Sequence, residues 1–232
     1  MRSAEEQLEM RNHCLTIHRQ AGLWELKDIA KRGNKRDFIL NYRNLLFQRI
    51  ILNISHMSSI FVINSLKGTK IVQTFPNLDA TVAFNFVFKS EESHRVNDLR
   101  SLQKKTMETS FILGNLIDIL EEIKFAKAEL LNLVSAAFVL ESQTCQLGLR
   151  LCFMSCKSGK RIAFTIDMTD LSLAVYPSEP SELLIKVSKA QTTLAQASID
   201  KIMVSVRNLQ PGCTMILRLC RMVSQLIYPL PG

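Results

Sequence analysis

The alternation of apolar and polar positions changes rhythm several times along the chain. Trp24, Leu26 and Ile29 lead to a Gly33-Asn34 turn signal, after which Phe38, Leu40 and Tyr42 alternate. This pattern predicts a β-hairpin whose loop carries Lys31, Arg32, Lys35 and Arg36. Leu45–Ser55 and the β-branched stretch Ser59–Leu66 read as two more strands. The segment 79–90 admits two readings. Val82, Phe84, Phe86 and Phe88 alternate as in a strand, whereas an Asp79 N-cap followed by Ala83, Phe86, Val87, Ser90 and His94 winds as a helix.

The clearest element covers residues 107–141. Ile112, Leu116, Ile119, Ile123, Ala126, Leu130, Leu133 and Ala137 recur in steps of four and three, a heptad-like seam on a long helix. Phe111, Leu120, Phe125, Leu131 and Val134 widen that stripe, which suits packing on a sheet. Leu147, Leu149, Leu151 and Phe153 then alternate, and after a Lys-Ser-Gly-Lys turn so do Ile162, Phe164, Ile166 and Met168. The pair predicts an antiparallel hairpin, with Leu171–Tyr176 as a third strand. Residues 188–209 and 211–228 read as two closing helices. Between strand and helix lies Tyr176-Pro177-Ser178-Glu179-Pro180. Pro177 favours an extended Tyr176, so the strand should run up to it. Pro180 then blocks further pairing, and the Tyr176 hydroxyl should find a backbone partner. The stretch predicts a rigid corner. Residues 1–20 are polar with sparse Leu8, Leu15 and Ile17, and read as a short helix or the end of a longer one.

Composition changes the picture little. The chain has 232 residues, 47% hydrophobic, enough for a substantial core. Net charge is +8, with 17 basic against 11 acidic residues in the first 110 positions. That bias fits an acidic partner or nucleic acid, but no aromatic stacking platform accompanies it, so direct nucleic-acid binding is not favoured. No run is long and apolar enough for a membrane span, and the first residues lack the apolar core of a signal peptide. These features predict a cytosolic or nuclear protein. The six cysteines then read as small buried hydrophobes. Asn53-Ile-Ser55 is a chance glycosylation match in that setting.

Candidate chemistry is thin. His13, Cys14 and His18, or Cys152 and Cys156, supply no second pair at zinc-finger spacing, so no metal is predicted. "CKSGKR" lacks the first glycine of a phosphate loop and reads as a hairpin turn. A conjugating-type enzyme would need a nucleophilic cysteine. Cys213 and Cys220 fall in the predicted last helix with no His-Pro-Asn segment before them. Neither a catalytic residue nor a cofactor is expected.

The order helix, meander, Tyr-Pro corner, helix, helix resembles the RWD domain, a non-catalytic relative of the ubiquitin-conjugating fold. The corner here is one residue shorter between its prolines than the usual RWD pattern. With "LGNLIDILEEIKFAKAELLNL" before it and "IDKIMVSVRNL" after it, the chain is similar to the C-terminal tandem RWD region of the kinetochore-null scaffold (Blinkin) family, over roughly residues 20–228. The strings "LWELKDIAKRGNKRDFILNYRN" and "SFILGNLIDILEEIKFAKAEL" look more like its plant branch than its animal one.

The resemblance implies an α+β fold of tandem RWD-like modules, each an antiparallel sheet packed on helices. It implies a coiled-coil end over 1–20, a divergent first module over 21–105 and a second over 106–232. It favours a helix over Asp79–Lys105. It implies a kinetochore and nuclear location, and anchoring to the MIND complex through the tail of one subunit. Zwint-like adaptors would be received by the preceding coiled coil. The family's long N-terminal region with its docking repeats is not among these residues, so a part of a longer protein and a shortened relative both remain open. On this reading a short apolar and acidic segment docks near the junction of the halves. Phe84, Phe86 and Phe88 are candidate contacts if they are exposed, and core residues if they are not. Lys104, Lys105 and the Lys31–Arg36 loop, with Lys31 and Arg32 foremost, would steer it by charge. The alternative is an RWD adaptor of another assembly, in the ubiquitin pathway or kinase regulation.

Overall fold

The structure, a computed structural model, describes residues 24–53, 60–88, 94–141 and 144–228. The helix expected over residues 1–20 lies outside the described residues. The chain forms two compact units, neither contiguous in sequence: Met1–Lys70 with Phe88–Phe111, and Ile71–Val87 with Ile112–Gly232.

The first unit is built on an antiparallel sheet of β1 (Trp24–Arg32), β2 (Lys35–Tyr42), β3 (Leu46–Asn53), β4 (Ile60–Leu66) and β5 (His94–Val96), in that order. The β1–β2 turn falls at Gly33, whose φ of 59° suits glycine best. Register places Phe38, Ile50 and Val62 side by side across three strands. With Ile60 and Val96 they form one apolar face, packed against Leu102. Leu102 belongs to α3 (Leu99–Glu129), the long helix, which begins in this unit. Farther along, the same face is polar and internally satisfied. Gln48 donates to Asn64 at 3.2 Å and accepts from Thr106 at 3.1 Å, while Trp24 Nε1 donates to Ser110 at 2.7 Å. A buried polar row without such partners would be unfavourable.

The second unit carries β6 (Leu133–Glu141), β7 (Gln146–Met154), β8 (Arg161–Asp167) and β9 (Ile185–Val187), an antiparallel sheet in chain order. Its helices are α2 (Ala80–Phe88), the later part of α3, α4 (Gln196–Arg207) and α5 (Met215–Ile227). A short helix, α1 (Gly68–Thr74), leads from the first unit. Leu116, Ile119, Leu120, Ile123 and Ala126 of α3 are buried, as are Leu149, Leu151, Phe153, Phe164 and Ile166 of the sheet. Phe153 and Phe164 stack at 6.0 Å.

Four expectations need correction. The long helix stops at Glu129, and residues 133–141 form a strand instead of its last turns. Asn132 ends it: the buried side chain donates to the Ser224 carbonyl at 3.1 Å and accepts from the Ser224 hydroxyl at 2.7 Å. Next, 79–105 is not one helix. Residues 80–88 are helical, but His94–Val96 pairs with Ile60–Val62, because Val96 completes the apolar face there.

The third correction concerns Leu171–Tyr176, which is not a strand. Thr169–Leu173 is a 3₁₀ turn ending at Ala174, whose φ is 62°. Asp167 starts it by accepting from the Thr169 N–H at 2.9 Å, and Leu173 points outward, 72% exposed. The meander therefore uses β6, and the short β9 takes the free edge of β8. Fourth, of 188–209 only 196–207 is α-helical. Thr192 and Thr193 instead use their hydroxyls to accept from the β8 N–H groups of Ala163 and Arg161, at 3.2 and 2.7 Å. Among the described residues the cysteine expectation holds for Cys220 alone, and Cys14 lies outside them. Cys145, Cys156 and Cys213 are exposed and Cys152 is half-buried.

Gly148 sits in β7 where no side chain fits. A Cβ there would lie 2.5 Å from Thr165 Cγ2 and 3.3 Å from Val139 Cγ2. Gly148→Ala is expected to destabilise by about 1–3 kcal/mol through overpacking. Thr165→Ser removes the opposing methyl, so the double variant should recover most of that loss in a urea unfolding series.

Candidate functional site

The face of α3 in the second unit carries Asn115, Asp118, Glu122 and Phe125, spaced by three and four residues so that they stack on one side. Together with Tyr176 and Leu217 they line an open groove of about 640 Å³. Phe125 is 62% exposed on this wall. Glu122, one step from the buried stripe at Ile119 and Ile123, is itself buried.

Burial is tolerable because the carboxylate is fully engaged. The Tyr176 hydroxyl donates to Glu122 Oε1 at 2.7 Å, and the Leu217 N–H donates to Oε2 at 2.9 Å. The same hydroxyl accepts from the Met215 N–H at 2.7 Å. Met215 and Leu217 lie in the first turn of α5, whose preceding residue Thr214 makes no side-chain cap. Tyr176 and Glu122 therefore satisfy N–H groups that a helix start leaves open. Asn115 adds a second tie, donating to the Ala174 carbonyl at 2.7 Å. Arg221 of α5 forks onto Glu129 of α3 at 2.6 and 3.0 Å on the exposed rim.

The prolines complete the corner. Pro177 is buried. Pro180 opens a single 3₁₀ turn, Pro180–Glu182, in the position where a missing N–H is harmless. Glu182 reaches back to accept from the Glu179 and Ser178 N–H groups at 3.0 and 2.7 Å, which holds its carboxyl below the usual range. The corner is shaped by side-chain capping, not by a strand running into Pro177.

Around Glu122 burial disfavours free charge. Burial pushes the Glu122 carboxyl up, against the opposing pull of the Tyr176, Leu217 and Ile216 hydrogen bonds. Burial and the Glu122 carboxylate together raise the Tyr176 phenol. The Cys220 thiol is pushed up to about 12 by burial and then by Glu122, the reverse of an activated nucleophile. This is a geometry for holding segments together and for offering a shaped surface.

The proposed contact residues are placed unevenly. Phe84 and Phe88 are buried, because α2 turns them inward, so the condition that they be exposed is met by neither; Phe86 is half-buried. Lys104 is exposed, and half-buried Lys105 pairs with Glu108 at 3.6 Å. Lys31, Arg32, Lys35 and Arg36 are all exposed around the β1–β2 turn. Arg32 approaches buried Asp37 at 3.8 Å, and Arg49 also pairs with that carboxylate. Sequence reading missed Glu122. The available signal was a lone carboxylate at the edge of an apolar helical stripe.

Tyr176→Phe strips a donor from Glu122 and leaves the Met215 N–H unpaired. It is expected to lower stability by about 1–3 kcal/mol in urea unfolding, and Glu122→Ala by at least as much. Glu122→Gln removes the charge and keeps one of the two acceptor oxygens. Because burial raises the Glu122 carboxyl above its ordinary value of 4.5, the native chain loses stability as pH climbs from that value through the raised one. The stability of Glu122→Gln relative to the native chain should grow across that window and stay level below it. Parallel pH profiles of the two would refute the buried-carboxylate account.

Searches of curated proteins and of solved structures returned no match. A family model, described as the Knl1 RWD C-terminal domain, matches residues 1–120. That span is just over half of the chain and lies ahead of the Tyr176 corner. Among the described residues, two antiparallel sheets and five α-helices form an α+β arrangement of RWD type. The chain belongs to the Knl1 RWD C-terminal domain family, the protein-interaction module of a kinetochore scaffold.

Proposed function

We propose that this chain anchors an outer-kinetochore scaffold to the MIND complex by receiving the tail of one MIND subunit, in the nucleus of dividing cells. In this reading residues 21–105 act as a divergent first RWD-like module and 106–232 as a second. Zwint-like adaptors are further partners in this reading. The family match carries the proposal. Charge supports it: the exposed cations Lys31, Arg32, Lys35, Arg36 and Lys104 all belong to the first unit and suit an acidic tail. Chromosome segregation follows from such an anchor, because the scaffold needs a fixed seat on the kinetochore to act there.

Purified MIND complex should be retained on the immobilised chain at low salt and less at high salt. Charge reversal at Lys104 and Lys105 should weaken retention about three- to tenfold, mainly through slower association. Most of the effect should trace to Lys104, since Lys105 already has Glu108 as a partner. Retention unchanged by the reversal removes the steering role of these lysines. No retention by the native chain removes the anchoring reading.

A further inference from the structure

The face of the first sheet opposite Leu102 is built differently from the packed one. Strand register sets Asn41, Phe47 and Ser65 in one row, Ile39, Arg49 and Ile63 in the next, and Asp37, Ile51 and Phe61 in a third. Its apolar members are only half-covered: Ile39, Phe47, Ile51 and Ile63 are half-buried, and Phe61 is exposed. A groove of about 490 Å³ runs over Phe47, Ile39 and Ile63.

Two ammonium groups hang over this groove, one from β1 and one from just past β4. Lys27 Nζ lies 4.8 Å from the centroid of the Phe47 ring, and Lys67 Nζ lies 5.2 Å from it. Lys27 gets there through a β-bulge. Leu26 pairs with Leu40 and Asp28 with Ile39, so Lys27 is the extra residue, and it turns to the open face beside Asp28. Lys67 reaches the ring from just past the end of β4. Among the described residues neither lysine pairs with a carboxylate. Arg49, the third cation at the groove, is already matched by Asp37. Among the described residues Asp28 is the one carboxylate lining the groove, so the two lysines leave that lining net positive. Holding two like charges over a single ring is unfavourable without an anion to share, beyond the modest attraction each has for the ring.

We propose that this open face is a docking groove for an extended, acidic and apolar segment of a partner protein. Its apolar side chains pack on Phe47, Ile39 and Ile63, and its carboxylates bridge Lys27 and Lys67. The charge complement selects this occupant: a neutral apolar segment would leave both ammonium groups unmatched, and a basic one would be repelled. The spacing agrees. The two ammonium groups lie no farther apart than their combined distances to the ring, and an extended chain sets alternate side chains roughly 6.6 Å apart on one side. The inference rests on the reading of the first unit as the receiver of an acidic tail, and it locates the seat at Lys27 and Lys67, away from Lys104 and the hairpin turn.

The test uses the whole chain and a fluorescein-labelled peptide, Glu-Ile-Glu-Phe-Glu-Ile-Glu, with a counterpart carrying lysine at every glutamate. The acidic peptide should bind in anisotropy titrations and weaken with salt. Lys27→Glu with Lys67→Glu should weaken it about tenfold or more, while leaving thermal unfolding unchanged because both side chains are exposed. Ile63→Asp gives a second variant that removes the apolar floor while keeping both lysines. Equal binding of the lysine counterpart, or binding indifferent to the double reversal, overturns the inference. Retention of MIND complex is measured alongside. Its failure with the native chain counts against the anchoring reading, whereas the peptide titration decides the groove by itself.

Discussion

A single buried carboxylate joins three stretches of the second unit that are far apart in sequence. Glu122 on the long helix takes hydrogen bonds from Tyr176 of the corner and from Leu217 at the start of the last helix. Each stretch makes the others tolerable. Without the tyrosine and the helix N–H, a buried carboxylate would be unfavourable by several kcal/mol. Without the carboxylate, the Leu217 N–H in the first turn of the last helix would lose its partner and the Tyr176 corner would lose its anchor. The neutral or hydrogen-bonded state of every group here suits a rigid frame and leaves Cys220 inert.

The first unit solves a different problem. One face of its sheet is closed by Leu102 and by the Gln48, Asn64 and Thr106 hydrogen bonds. The other keeps apolar side chains half-exposed under Lys27 and Lys67, which have no carboxylate partner among the described residues. A surface of that kind suits the proposed docking of an acidic, apolar segment. This agrees with membership of a kinetochore scaffold's interaction family, and the match over residues 1–120 takes in this whole sheet.

The strands were legible wherever period-two alternation coincided with a turn residue, as at Gly33 and through Leu147–Phe153. The helix core was legible from its heptad seam, and the Tyr176 corner from its prolines. Reading failed where two periods overlapped. Leu133 and Ala137 continue the helical seam, yet Val134, Phe138 and Val139 also suit a strand, and Asn132 with Ser224 decides between them. Leu171, Leu173 and Val175 alternate like a strand, but Asp167 captures the Thr169 backbone and turns the chain first.

Local pattern therefore determined the class of the protein: α+β, with antiparallel sheets, one long amphipathic helix and a proline corner. These depend on spacing, which is written along the chain. Only the tertiary structure decided which side chains face outward, where the long helix ends, and that Glu122 is an internal cap. It alone brought Lys27 and Lys67 over one ring, because a bulge re-aims a residue by a single unpaired step that leaves no mark in the alternation. Those outcomes depend on partners dozens of residues away, and such partners exist only once the sheets have closed.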